Sequence, residues 1–400
     1  MQIKNIFFRN NVVLFLIVVV LIWYHFYIYA GFQNIYKLLD YISYGMFFMM
    51  LFYSTKEISI KKHKYPTLIF ISTIISAIMA IVFWDEKIIS EFRILHNYQL
   101  VIIYFVLSKM KAEGKDVEKA LVILALIYVA CWLFQISQVP QLVFGADHNT
   151  DISDTEQRGF FRFFIPTKEN MPILLLFTYE LYRRTKRILF LLIIPLLILI
   201  IILHVGRQMI AWSLVSFVLL ILYHNRKKWK SLVAATVLLY AIGNYSIEKI
   251  PTLGLLFEQT NKQVESADDD IRLACFKYYW DNSVSNPITF VFGNGIGAEG
   301  QLGIFTKKAT TFGYYESDIG FMALLFDFGL LGLLIYLFLF FYIIRIPVEK
   351  KYIYIKCYFI YIYGSYILAH NLTTNILFNM CALYILYFSN MKIKSIFKNS

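Results

Sequence analysis

Long apolar segments recur along this 400-residue chain, and they constrain its fold more than any other feature. Hydrophobic residues make up 59% of the sequence and charged residues 16%, whereas soluble domains carry about 25% charged residues. A helix needs about 20 apolar residues to cross a membrane. The pattern therefore predicts an all-α polytopic membrane protein, folded as one integral membrane domain over residues 1–400.

About twelve segments fit this description if two short ones, 98–109 and 171–182, are completed by flanking residues. The first is predicted to be an uncleaved span, because its apolar run is too long for a signal-peptide core and lacks a small-x-small cleavage site. The predicted spans are 11–30, 38–53, 66–84, 98–109, 120–139, 171–182, 188–204, 208–223, 231–247, 319–344, 353–370 and 375–390.

The positive charge is distributed unevenly between the loops. Most of the 38 Lys and Arg lie in the two tails and in alternate loops, and such loops face the cytoplasm. Both termini are therefore predicted to be cytoplasmic. A smaller loop over 140–170 and a large loop over 248–318, between the ninth and tenth spans, are predicted to face outward. The net charge of +12 is interpreted as a topology signal, so no nucleic-acid partner is expected.

Neither metal-binding nor cofactor-binding patterns are convincing. The four cysteines form no C-x-x-C pair, which argues against a disulfide framework or a zinc site. Asp147-x-Asn149-x-Asp151 resembles the start of a calcium loop, but Ile152 and Arg158 stand where that loop needs glycine and glutamate. Asp268-Asp269-Asp270 is interpreted as a solvated acidic face. No metal and no cofactor is predicted.

A glycine motif, Gly295-Ile-Gly-Ala-Glu-Gly300, follows the β-prone run 288–292. The spacing matches the dinucleotide-binding fingerprint, which requires a surrounding βαβ unit. The chain instead reaches another membrane-length segment soon afterwards. The glycines are therefore interpreted as turns that allow close backbone approach.

The two spans over 188–223 are separated by almost no soluble turn. Their reversal is predicted at Gly206-Arg207, which places Arg207 at shallow depth near the outer face, with His204 beside it. An arginine at that depth is a functional candidate. The alternative is an arginine that snorkels to lipid phosphates.

The outward loops contain further arginines and two acids that could perform chemistry. Arginine suits pyrophosphate because its fork is always charged and binds oxygens in pairs, and a carboxylate at a membrane interface can accept a proton from an attacking hydroxyl. The alternative for Ser317-Asp318 is simple N-capping of a helix that begins at Ile319. The candidates are Arg158, Arg162, Arg272, Glu316 and Asp318. Asp327 lies deeper on that helix, as a structural or tuning acid.

Three pieces of the second half of the chain resemble the bacterial O-antigen polymerase and O-antigen ligase superfamily. The first is a short outward turn and the second is an arginine followed by an aromatic residue, a proline and a glycine-rich turn. The third is a polar start of a span that leads into an acid and paired glycines. In this chain they are His204-Val-Gly-Arg207; Arg272, Trp280, Pro287 and Gly293-Asn-Gly-Ile-Gly297; and Glu316-Ser-Asp-Ile-Gly320 through Asp327-Phe-Gly329 to Gly332.

The resemblance implies a metal-independent glycosyltransferase of the bacterial inner membrane, which acts at the periplasmic face on an undecaprenyl-pyrophosphate-linked donor. It implies that Arg207 and Arg272 hold the pyrophosphate. The ligase branch usually has a histidine where this chain has Asp318, which favours the polymerase branch. Asp318 becomes the candidate base, Glu316 the second candidate and His370 a substitute. The residues expected to contact substrate are Arg158, Arg162, His204, Trp280 and His370.

The expected function is therefore polymerisation of lipid-linked repeat units into O-antigen or capsule. A ligase that transfers finished glycan to a lipid or protein acceptor is the first alternative. A non-enzymatic transporter or flippase is the second, disfavoured because transporters usually show internal repeats and interrupted helices and neither is evident in the sequence. Expected partners are the lipid-linked oligosaccharide and membrane lipid, with a chain-length regulator as a candidate.

Overall fold

The computed structural model describes most of the chain. The described residues are 11–145, 156–157, 160–161, 163, 165–168, 170–204, 206–225, 271–367 and 375–399. The predicted ninth span over 231–247 and the first part of the large loop, 248–270, lie outside them.

The described residues are almost entirely helical. In chain order the helices are α1 (Val12–Trp23), α2 (Tyr36–Ser54), α3 (Lys64–Trp84), α4 (Ile88–Ile94), α5 (Ile102–Met110), α6 (Gly114–Ser137), α7 (Asn170–Thr185), α8 (Ile188–Leu203), α9 (Arg207–His224), α10 (Ile271–Val284), α11 (Pro287–Phe292), α12 (Gln301–Thr311), α13 (Phe321–Arg345), α14 (Ile353–Ser365) and α15 (Ile376–Asn399). One small antiparallel hairpin joins β1 (Glu156–Gln157) to β2 (Phe160–Phe161).

Most predicted spans that fall on described residues coincide with a helix or its immediate extension, but the predicted span 11–30 is a regular helix only over Val12–Trp23, because residues 25–28 have positive φ. Within the described part of the chain, five helical segments are long and apolar enough to cross a membrane: Ala30–Glu57, Lys64–Trp84, Gly114–Ser137, Phe321–Arg345 and Ile376–Ile396. Shorter apolar helices accompany them, including Val12–Trp23 and Ile188–Leu203. The chain is thus a helical protein with membrane-length helices, and the number of twelve spans stays a prediction.

The described core consists of two hydrophobic clusters. The larger one joins α1, α5, α6, α7, α14 and α15 through fully buried residues such as Leu100, Tyr128 and Tyr358. The smaller cluster packs α10 and α12 against α3 and α13, around Tyr279, Leu302 and Phe326. The predicted acidic candidates lie beside this smaller cluster.

The described part of the large predicted loop is largely helical, because α10, α11 and α12 account for most of residues 271–311. The run 288–292 is also helical, although its β-branched residues favour a strand. Asn286 accepts the backbone N–H of Ile288 at 2.9 Å, and Pro287 occupies the first helical position. A capping side chain and a proline at that position together favour a helix start, and they outweigh the preference of the β-branched residues.

Helix α13 is interrupted inside its apolar stretch. Gly329 has φ 67° and ψ −176°, which is not helical. A Cβ at this glycine would lie 2.4 Å from the backbone nitrogen of Gly293 and from the carbonyl oxygen of Val291. The helix therefore breaks where the end of α11 passes against its backbone. No interrupted helix was expected from the sequence, and the structure corrects this expectation.

Candidate functional site

The acids predicted at the start of the tenth span lie in a separate turn. Residues Glu316–Asp318 form one turn of 3₁₀ helix, and α13 begins only at Phe321, with Gly320 as its N-cap residue at φ 44°. A Cβ on Gly320 would lie 1.8 Å from the carbonyl oxygen of Tyr366. This close backbone approach separates the turn from the helix, so the alternative interpretation of Ser317-Asp318 as a simple N-cap was wrong.

Glu316 is a predicted site residue outside the spans whose pKa departs from its ordinary value. The residue keeps some exposure, but protein atoms surround its carboxyl, and this burial raises the pKa of Glu316 to about 7. The Tyr279 side chain of α10 hydrogen-bonds the carboxyl and opposes part of the rise. A carboxyl with a pKa near neutrality can exchange a proton under physiological conditions.

Helix α10 brings further predicted residues to this turn. The thiol of buried Cys275 contacts the carbonyl oxygen of Tyr315 at 3.7 Å. Burial raises the pKa of Cys275 to about 12, and the charges of Asp318 and Glu316 add to the rise. Both carboxylates are therefore near the inner face of α10. Arg272 is partly exposed and lies one helical turn before Cys275, on the same side of the helix.

Asp327 lies deeper, where it is only 1% exposed. Its backbone carbonyl accepts the Ser76 hydroxyl of α3 at 2.9 Å and the Gly295 N–H at 3.2 Å. Its carboxyl oxygen Oδ1 has no hydrogen-bond partner among the described residues. Glu316 and Glu91 are both close enough to act on this carboxyl electrostatically. Two other acids, Glu316 and Glu91, therefore lie near the buried Asp327 carboxyl beside the helix break.

Glu91 was missed in the sequence. It lies on α4, is 1% exposed, and neither of its carboxyl oxygens has a hydrogen-bond partner among the described residues. Burial raises the pKa of Glu91 to about 8, with a further contribution from the charge of Glu86. The available signal was a lone acid inside an apolar stretch, Ile88-Ile-Ser-Glu-Phe92.

Glu86 was missed as well, and it explains the glycine motif. Its carboxylate accepts the backbone N–H groups of Glu299, Gly300 and Gly303 at 2.9, 2.7 and 2.8 Å. Burial opposes the charge, but these hydrogen bonds prevail and lower the pKa of Glu86. A loop that would cradle phosphate in a nucleotide-binding fold is here occupied by the protein's own carboxylate. Trp84 also donates Nε1–H to Asn294 Oδ1 at 3.2 Å.

His204 is buried at the end of α8. Its Nδ1 is 2.7 Å from the carbonyl oxygen of Ile200, so Nδ1 carries the proton and Nε2 accepts the Tyr128 hydroxyl at 2.7 Å. Trp132 stacks on its ring. This packing favours a structural role, and the predicted substrate contact stays a prediction.

Trp280 lies on the outer face of α10, away from Tyr279. It is 40% exposed and stacks parallel to Phe276. Helix α8 ends at Leu203 and α9 begins at Arg207, so the interruption between them adjoins the predicted reversal at Gly206-Arg207. The side chain of Arg207 lies outside the described residues, and so do the predicted residues Arg158, Arg162 and His370.

The described site is therefore a set of acids beside the broken helix, with Arg272 one helical turn from Cys275, which contacts the Glu316–Asp318 turn. Across the described part of the chain, His, Cys, Asp and Glu side chains form no group of three or more that could hold a metal ion. A comparison with family models found no match for the sequence, and a comparison with curated proteins found none either.

Proposed function

We propose that the protein is a membrane glycosyltransferase that joins lipid-linked repeat units into a surface polysaccharide at the periplasmic face of the bacterial inner membrane. The observation that supports this most directly is the Glu316 carboxyl, whose pKa is raised to about 7 beside a helix that bears Arg272. A general base that works near neutral pH needs such a pKa.

In the proposed reaction, an acceptor sugar hydroxyl attacks the anomeric carbon of the donor's first sugar. The hydroxyl proton passes to Glu316, the new glycosidic bond forms, and the bond from the anomeric carbon to the pyrophosphate oxygen breaks. Glu316 replaces Asp318 as the first candidate base, because protein atoms surround its carboxyl and Tyr279 hydrogen-bonds it. Asp318 remains the second candidate.

The departing pyrophosphate gains negative charge, and fixed positive groups stabilise it. Arg272, from α10, and Arg207, at the start of α9, are the proposed groups. Arginine is suited to this role because its planar fork binds two oxygens and never loses its charge, and such preorganised charge usually contributes most to catalysis. Arg158 and Arg162 are proposed to position the second lipid-linked substrate.

The variant Arg272→Ala tests the proposed role of the Arg272 positive charge in stabilising the departing pyrophosphate. We expect the variant to reach the membrane at the normal level and to abolish chain extension, so that lipid-linked glycan stays at one repeat unit. The measurement is the length distribution of lipid-linked glycan in a strain that carries the variant as its only copy.

Lys277→Ala is the matched control. Lys277 is exposed on the other face of the same helix, and its replacement also removes one positive charge. It should leave the length distribution unchanged. Polymer of normal length in Arg272→Ala would contradict the proposal, as would an equal loss in both variants.

A ligase remains an alternative, and deletion of the protein distinguishes a ligase from a polymerase. Loss of a polymerase leaves single units on the lipid carrier, whereas loss of a ligase leaves long polymer unattached to its acceptor.

A transporter or flippase is also favoured by specific observations, because α13 is interrupted at Gly329 and buried acids in membrane helices often mark ion or substrate paths. Deletion of a flippase would leave single lipid-linked units in the cytoplasmic leaflet. There they are protected from an external glycosidase, whereas units that await a polymerase are cleaved.

A further inference from the structure

The end of α11 and the loop that follows it contact α13 well below the helix start. Asn294 donates its backbone N–H to the carbonyl of Phe326 at 2.7 Å, and Gly295 donates to that of Asp327 at 3.2 Å. Phe326 and Asp327 are five and six residues into α13, which places them roughly 8–9 Å along the helix axis from Phe321.

Helix α3 gives a second, independent measure of depth. A Cβ on Gly295 would lie 2.5 Å from the Cβ of Ala80 and 2.7 Å from the carbonyl oxygen of Ser76. These residues precede the helix end at Trp84 by four and eight positions, or roughly 6 and 12 Å. Both membrane-length helices therefore place Gly295 about 10 Å inside their ends.

The backbone at this depth is protected from its surroundings. Gly293, Asn294 and Gly295 are buried, and their N–H groups donate to Thr289, Phe326 and Asp327 respectively. Non-helical backbone is tolerated at membrane depth only where protein encloses it or a water-filled cavity borders it. The loop meets the first condition.

The outward side of α11 is apolar at the same depth. Ile288 and Val291 are exposed by 50% and 39%, and Phe292 is similarly exposed. On neighbouring α3, Ile78 and Val82 are exposed as well. The exposed apolar side of α11 thus continues the exposed apolar side of a membrane-length helix, which identifies lipid acyl chains as its occupant.

We propose that residues 287–297 form a re-entrant segment that dips into one membrane leaflet between α3 and α13 and presents Ile288, Val291 and Phe292 to acyl chains. The chain returns to the surface at Gly300, where its N–H meets Glu86 at 2.7 Å, just beyond the end of α3. The exposed polar residues Asp281 and Ser285 precede the dip and lie in water or at the headgroups.

The test uses the full-length protein in vesicles. A photoreactive amino acid replaces Val291 in one variant and Ser285 in the other, and all native cysteines are kept. After irradiation, mass spectrometry should find phospholipid adducts at position 291 and at most one tenth as many at position 285.

A fluorescence measurement provides the second arm. Val291→Cys and Ser285→Cys, made without the four native cysteines and labelled with an environment-sensitive dye, are compared with two quenchers. Acyl-chain-brominated phospholipid should quench the dye at 291, and aqueous iodide should quench the dye at 285.

Iodide quenching at 291 equal to that at 285 would overturn the proposal. So would protein-to-protein adducts at 291 in place of lipid adducts, because a second protein would then cover the face. Neither arm depends on glycosyl transfer, so failure here is distinguishable from failure of the proposed function.

Discussion

At the scale of single residues, the site is governed by acids whose ionisation is set by their surroundings. Glu316, Glu91 and Glu86 are the same type of residue in three different surroundings. Burial raises the pKa of the first two to about 7 and about 8, whereas three backbone donors lower that of the third. Desolvation disfavours a charged carboxyl, and hydrogen bonds from N–H groups favour it. Position in the fold therefore decides which acid can exchange protons.

The proposed base predicts a pH profile. Glu316 must be deprotonated to accept a proton, so glycosyl transfer should rise with pH and level off above a midpoint of about 7. Glu316→Gln should lower the rate by at least about 100-fold, the contribution of a general base, and remove this pH dependence. The measurement is the initial rate with purified lipid-linked substrate between pH 5.5 and 8.5.

Asp318→Asn is the control for that profile, because it removes a neighbouring carboxylate from the same turn. It should keep the midpoint and most of the rate. If Asp318→Asn abolishes the pH dependence and Glu316→Gln retains it, the assignment of the base is reversed.

Glu91 predicts a pH dependence of stability. The unfolded-state pKa is near 4.5 and the folded-state pKa is about 8, so between these values the unfolded chain binds fewer protons than the folded protein. The contribution of Glu91 to stability is full below pH 4.5 and falls as pH rises to about 8, by up to about 5 kcal/mol. Glu91→Gln should flatten this decline, as measured by melting temperature in detergent across pH 5–8. The exposed Asp281→Asn should leave the slope unchanged, and an equally steep decline in Glu91→Gln would contradict the prediction.

At the scale of elements, two contacts between backbones define the site. The Gly293–Gly297 loop fits against α13 where α13 breaks at Gly329, and Glu86 holds the backbone that follows the loop. The short turn at Glu316–Asp318 exists because Gly320 passes against the end of α14. Close contacts between backbones at Gly329 and Gly320 therefore help to position α13 against its neighbours.

Gly329→Ala should therefore be strongly destabilising. Gly329 has a positive φ, and a Cβ there would meet backbone atoms of Gly293 and Val291, which cannot rotate away. We expect a loss of at least about 2–3 kcal/mol, seen as a lower melting temperature. Gly45→Ala in α2 is the matched control, because no described atom lies within 4 Å of its added Cβ, and it should be neutral or slightly stabilising. Equal melting temperatures for the two variants would contradict the packing described for α13.

At the scale of the whole molecule, α13 is the helix long enough to link the site to the opposite membrane face. Its 25 residues from Phe321 to Arg345 are sufficient to cross the membrane. Exposed residues before and after it, Lys307 and Lys350, should then lie on opposite sides. With a membrane-impermeant maleimide on intact spheroplasts, and without the four native cysteines, Lys307→Cys should label and Lys350→Cys should label only after the cells are opened. Labelling of both in intact cells would contradict the predicted topology.

The sequence by itself determined the helical class, and it located helices at the apolar segments, because a long apolar stretch in a membrane satisfies its backbone only as a helix. It also singled out Arg272, Glu316 and Asp318, which the structure brings to neighbouring elements. Only the tertiary structure decided that 288–292 is a helix, that α13 breaks at Gly329 and that Glu86 fills the glycine loop. The tertiary structure also showed that the buried acids Glu91 and Asp327 lie close to each other. These features arise from contacts between residues far apart in the chain, and local patterns of hydrophobicity and charge carry no information about such contacts.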